Sequence, residues 1–280
     1  MVLAYWYAGW PGYERNKGEK LSREPKLEAK TPALELTGLS KTFGETVAAD
    51  NVNLAVPQGS FFGLVGPNGA GKTTTLSMAV GLMRPDAGSS RIFGIDIWTE
   101  PLPAKALIGV LPDGMALPER LTGREALTYL GLLRGLDEDT VAERAAELLA
   151  VLELDDAEQT LLVQYSAGMR KKIGLALALL HAPKLLILDE PLEAVDPVSA
   201  STVKTILQRF VASGGSVIMS SHVMPLVEQI CDRVAILDNG RVLAAGALDQ
   251  VRGERTLEEV FVDRVGDQTS GEEGFAWLVS

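Results

Sequence analysis

Leu34 and Leu36 alternate with polar neighbours, and Val52, Leu54 and Val56 repeat the same two-residue period. Both stretches therefore predict half-buried strands. After a turn at Gln58 and Gly59, Ser60, Phe61, Phe62, Gly63, Leu64 and Val65 read as a short buried strand. A glycine-rich loop follows, then a helix from about Lys72. The stretch 123–152 reads as helical. Val141, Ala145, Leu148, Leu149 and Leu152 fall at i, i+4, i+7, i+8 and i+11, one face of a helix. Met169, Ile173, Ala176, Leu177 and Leu180 repeat that spacing on a second helix. Two more buried strands are predicted, from Leu185 to Leu188 and from Ser216 to Ser220. Val234 to Leu237, a turn at Asp238, Asn239 and Gly240, and Val242 to Ala245 predict a hairpin, with Asn-Gly as its turn signal. Mixed strands and helices with a purely helical middle indicate an α/β core carrying a helical insertion.

Composition narrows the setting. Of 280 residues, 46 % are hydrophobic and 22 % charged, enough apolar material for a sizeable core. The net charge of −11 argues against nucleic acid as the main partner, since such binding rests on neutralising phosphates with cations. The single cysteine, Cys231, rules out a disulfide framework and is expected to pack under the following strand. No run of 18 uncharged apolar residues is present, so no membrane-spanning helix is predicted and any membrane role is peripheral. Residues 1–32, with Tyr5, Trp6, Tyr7, Trp10 and Tyr13 ahead of a charged stretch, are expected to be a disordered leader. The acidic tail after Thr256 is expected to be part helix, part loose end.

Three motifs carry chemistry. Gly66, Pro67, Asn68, Gly69, Ala70, Gly71, Lys72, Thr73 and Thr74 fit G-x-x-x-x-G-K-[ST], between a buried strand and a helix as that pattern requires. The glycines let backbone N–H groups converge on phosphates, and the helix N-terminus adds positive potential. Lys72 would hold the β- and γ-phosphates, Thr73 would ligate Mg²⁺, and Thr74 would face the α-phosphate. The second motif is an apolar strand ending in Asp189 and Glu190, which delivers one carboxylate to a metal and one to an attacking water. The third is Tyr165, Ser166, Ala167, Gly168 and Met169 ahead of Arg170, Lys171 and Lys172. There a hydroxyl and two backbone N–H groups at a helix start offer another anion seat, or a plain helix cap.

Together these motifs resemble the ATP-binding subunit of ABC (ATP-binding cassette) transporters. Ser166 and Gly168 match the family's Leu-Ser-Gly-Gly-Gln signature, while Tyr165, Ala167 and Met169 depart from it. The Tyr-Ser-x-Gly-Met form followed by basic residues is similar to the branch serving ABC-2-type exporters. The resemblance covers about 34–253. It implies that Ser166, Ala167 and Gly168 face the γ-phosphate held by a second subunit, that Phe43 stacks on adenine, and that Asp196 is the D-loop aspartate. It also implies that His222, ending the Ser220-Ser221-His222 stretch, contacts the γ-phosphate, with Glu190 polarising water. Asp113, after Pro112, stands where the family places glutamine and is expected to serve Mg²⁺ directly or through water. His181 is expected to be structural.

The expected architecture is a P-loop NTPase core with an antiparallel β subdomain and a helical subdomain at about 114–170, all within 33–253, followed by an extension at 254–280. The resemblance implies two such chains sandwiching ATP and Mg²⁺, bound to an integral membrane permease at the cytoplasmic face of the cell membrane. A soluble ABC ATPase acting on ribosomes or DNA is the alternative. Such proteins usually carry two cassettes or long coiled coils, and this chain has one cassette and no long heptads. A guanine-reading Asn-Lys-x-Asp is also lacking from the sequence.

Overall fold

The computed structural model describes residues 31–265. The leader expected at 1–32, save Thr31 and Pro32, and the tail beyond 265 lie outside the described residues.

Strands β1 (Leu34–Phe43), β2 (Thr46–Val56) and β3 (Phe61–Val65) come first, and the glycine loop leads from β3 into α1 (Lys72–Ala79). Then come β4 (Ala87–Ile92), β5 (Ile95–Asp96), α2 (Pro101–Ala106) and β6 (Ile108–Leu111). The helical middle holds α3 (Gly123–Leu133) and α4 (Glu138–Val151), and α5 (Ala167–Leu179) returns the chain to the core. The rest is β7 (Leu185–Leu188), α6 (Pro197–Ala212), β8 (Ser216–Ser221), α7 (Met224–Ile230), β9 (Arg233–Asp238), β10 (Arg241–Ala247), α8 (Leu248–Arg252) and α9 (Leu257–Val265).

Two sheets form. One is antiparallel, ordered β2-β1-β4-β5. The other is ordered β10-β9-β3-β8-β7-β6 and is parallel except for its edge strand β10. Strand β3 is paired on both edges by β8 and β9, and because all five of its residues are buried its apolar run is covered on both faces. Phe61, Phe62, Leu64 and Val65 are all buried, each contributing roughly 1.5–3 kcal/mol by leaving water. The hairpin of β9 and β10 turns at Asn239 and Gly240 as its Asn-Gly signal predicts.

The stretch read as continuously helical over 123–152 is two helices. Gly135 takes φ 87°, and Asp137 restarts the helix by accepting from the Thr140 N–H. Helix α3 opens with a reciprocal capping box between Thr122 and Glu125. Cys231 is buried beside Val227, facing Gly63 on β3. Burial and the Asp232 carboxylate hold its thiol well above the usual range. Part of the expected C-terminal extension joins the core: Leu257 and Val260 of α9 are buried.

Candidate functional site

The parallel strands β3, β7 and β8 end side by side, and the chemistry-bearing residues sit just past those ends. Ligands of open α/β sheets bind outside the carboxyl ends of the strands. Past β3, residues 66–74 form the loop and the first turn of α1. Gly71, the N-cap of α1, has φ 98°, and a Cβ there would lie 2.2 Å from the Ala48 carbonyl oxygen. Only glycine fits both the backbone and the space. No side chain caps α1, so its first N–H groups remain available to phosphate oxygens. Pro67, Asn68, Gly69 and Thr73 are exposed, while Gly66 and Ala70 are buried supports. Lys72 folds back over the loop, donating from Nζ to the carbonyls of Gly66 at 2.8 Å and Pro67 at 3.2 Å.

Past β7, Asp189 is almost fully buried and accepts from the Ser220 hydroxyl of β8. The same Ser220 Oγ accepts from the Glu190 backbone N–H at 2.9 Å. Glu190 adopts φ 47°, a left-handed conformation that costs a non-glycine residue about 1–2 kcal/mol. Its carboxylate Oε1 lies 3.1 Å from His222 Nδ1 and 3.5 Å from Lys72 Nζ. Three residues predicted from three separate motifs thus share one point. A cavity of about 230 Å³ opens beside them, bordered by Glu190, Glu193, Ala194, Ser221 and His222.

Helix α5 presents the signature. Ser166 is its N-cap and accepts from the Met169 N–H at 3.2 Å, which leaves its own O–H free to donate. Ser166 and Ala167 are exposed. A Cβ on Gly168 would approach Ala194 O at 3.9 Å and Asp196 Oδ2 at 4.0 Å, so signature and D-loop lie together. Tyr165, which departs from the signature, is a buried anchor donating to the Ala157 carbonyl. Asp196 acts here as the N-cap of α6, accepting from the N–H groups of Val198 and Ser199. Those bonds, Ser199 first, hold its carboxyl below the usual range.

Phe43 and Asp113 pair with lysines outside this triad. Phe43 is about half exposed at the end of β1, with Lys41 Nζ 5.7 Å from its ring centroid. Asp113 is half exposed, and its Oδ1 lies 3.3 Å from Lys171 Nζ on α5. Its charge is thus met by a lysine. His181 sits at the opposite end of the sheet, its Nε2 2.9 Å from the Ile108 carbonyl. Burial, with Arg134 nearby, brings its pKa down to about 3.

Among the described residues no group of three or more His, Cys, Asp or Glu could hold a metal by itself. One buried carboxylate, Asp189, and one exposed hydroxyl, Thr73, nevertheless suit Mg²⁺. This ion is usually held by one or two carboxylates, waters and the nucleotide's own phosphates.

A strand, a phosphate-cradling loop, a helix and a strand-end carboxylate beside the loop lysine define a P-loop nucleoside triphosphatase. Comparison carries this further. Residues 49–193 match the protein family described as ABC transporter. The daunorubicin/doxorubicin resistance ATP-binding protein DrrA of Streptomyces peucetius is 40 % identical over 222 residues, spanning 79 % of this chain and 67 % of DrrA. The linearmycin resistance ATP-binding protein LnrL of Bacillus subtilis is 37 % identical over 76 % of this chain and 68 % of its own. A solved ATP-binding subunit of an ABC transporter is similar at a TM-score of 0.78 and 31 % identity, over 83 % of this chain and 99 % of the other. The chain belongs to the ABC transporter family, as an ATP-hydrolysing subunit.

Two residues of the site were not singled out by sequence reading. Ser220 was read only as part of a strand end, and Lys171 only as part of a basic helix start. No spacing rule marks either residue, because each acts across elements far apart in the chain.

Proposed function

We propose that this chain drives export through a separate integral membrane permease at the cytoplasmic face of the membrane. Two copies, or one copy and a paralogue, would hold ATP with Mg²⁺ between them. The observation that carries the enzymatic half is the Glu190 carboxylate placed between Lys72 and His222. An arriving γ-phosphate draws Lys72 away from the loop carbonyls and from Glu190. The glutamate is then free to orient water, while Lys72 and His222 stabilise charge on the transferring group. Such catalysis is mostly positioning and electrostatics. Mg²⁺ would be held by Thr73 and Asp189 and would supply neutralisation of the phosphate charge.

The resistance functions in the names of DrrA and LnrL support export, and the exposed Ser166 seat supports the two-chain site. A groove of about 660 Å³, lined among others by Pro112, Asp113, Met115, Ala167 and Arg170, offers a mixed polar and apolar surface to the permease.

Glu190→Gln should bind ATP, hardly turn over, and elute as a dimer on size-exclusion chromatography with MgATP. A Glu190→Gln variant that hydrolyses ATP at the wild-type rate refutes the assignment. Sedimentation with membranes only when the permease is co-expressed supports the permease, and sedimentation without it favours a different anchor.

A further inference from the structure

Glu190 carries its carboxylate on a backbone turned into the left-handed region, at φ 47°. Such a conformation persists only when its surroundings over-determine it. On the amide side, the Glu190 N–H donates to Ser220 Oγ of β8 at 2.9 Å. On the carbonyl side, Lys171 Nζ of α5 donates to Glu190 O at 2.9 Å. The same ammonium lies 3.3 Å from Asp113 Oδ1, past the end of β6. Lys171 is mostly buried, with 18 % of its side chain exposed, so the charge is shielded enough for its partners to matter.

The geometry points to Lys171 as a positioning residue for ATP hydrolysis: its ammonium pins the Glu190 carbonyl, and Asp113 orients that ammonium. This deepens the proposed site and rests on Glu190 being the residue that orients water. It also gives Asp113 a role distinct from metal ligation. A glutamine in its place would have no charge to fix a lysine. Lys171 lies five residues beyond Ser166 on the helix that the signature opens. A shift of that helix therefore reaches the Glu190 backbone through one side chain.

The test is steady-state ATP hydrolysis by the full-length chain, with binding of a fluorescent ATP analogue measured in parallel. Lys171→Met should lower kcat on the order of 10- to 100-fold, the scale expected for misplacing a reacting group by about 1 Å. Analogue affinity should change by less than about twofold, because no phosphate-binding group has been removed. Lys171→Arg should recover most of kcat, since it keeps the charge and the donor. Asp113→Asn should lower kcat less than Lys171→Met, and the double variant should be no slower than Lys171→Met alone.

A kcat for Lys171→Met within twofold of wild type overturns the inference, as does a multiplicative double variant or a failure of Lys171→Arg to rescue. If Lys171→Met does not fold, by circular dichroism and urea titration, Lys171→Gln takes its place, with the same kcat loss expected and the same twofold limit overturning. Glu190→Gln runs in the same assay. If it keeps turning over, the reading of the site has failed. If it is inactive while Lys171→Met is not, only the positioning role has failed.

Discussion

Ser220→Ala is a sharp probe of this site because one hydroxyl serves both acidic residues. Ser220 is fully buried, donates to Asp189 and accepts from the Glu190 N–H. Replacement removes a bond to a charged acceptor, about 1.5–3 kcal/mol, and strands a part-buried N–H, at the low end of about 1–3 kcal/mol. Both losses fall in one network and overlap, so about 2–4 kcal/mol in total is expected. For a domain of this size, at about 2–4 °C per kcal/mol, that lowers Tm by roughly 4–16 °C. Turnover should fall on the order of tenfold, since Asp189 and Glu190 lose their shared anchor. Differential scanning fluorimetry and a coupled ATPase assay measure the two effects. Ser216→Ala is the control: Ser216 is buried on the same strand, but its hydroxyl accepts the Gly59 N–H, at the end of the strand away from Asp189 and Glu190. It should cost about 1 kcal/mol and leave kcat unchanged. A Ser220→Ala variant with a Tm loss below about 3 °C and normal turnover, or equal kcat loss in both variants, refutes the reasoning.

Two further outcomes are expected. Gly71→Ala would place a Cβ 2.2 Å from the Ala48 oxygen at φ 98°, so it should destabilise by roughly 1–3 kcal/mol and weaken ATP binding, checked by thermal melting and analogue titration. His181 is held neutral, its pKa falling from 6.5 unfolded to about 3 folded. The unfolded chain therefore binds the extra proton between those values, and stability is lost as pH falls below 6.5, by at most about 1.4 kcal/mol per pH unit; urea midpoints at pH 7.5 and 5.5 should converge in His181→Gln.

Much of the core was legible because β3 and β7 are short, buried and apolar, and the loop between β3 and α1 has few ways to fold. The convergence of Lys72, Glu190 and His222 was implied by a family resemblance rather than by local pattern. The break at Gly135 was missed because the apolar spacing of α4 masks it, although Asp137 followed by Glu138 and Asp139 is a helix-start signal. Asp196 ahead of Pro197 likewise reads as a cap followed by proline in the first helical turn, and the structure uses it so. Ser220 and Lys171 were invisible for a different reason. Their partners come from other elements, and no period in a single sequence reports which loops meet.

The position of β3 between β8 and β9 has a consequence for how the chain comes to be active. Its two sheet neighbours begin at Ser216 and Arg233, more than 150 residues downstream. The nucleotide loop itself is tied to the hairpin turn by the Gly240 N–H on Ala70 O, and that turn is tied to β2 by the Asp50 N–H on Gly240 O. Contacts so distant in sequence close late, after the loop-closure entropy has been met. A chain emerging from the ribosome therefore carries its phosphate loop long before it can shape it, and ATP is first bound when nearly the whole cassette has been made. Fragments ending before Ser216 lack both sheet neighbours of β3 and are expected to bind no ATP.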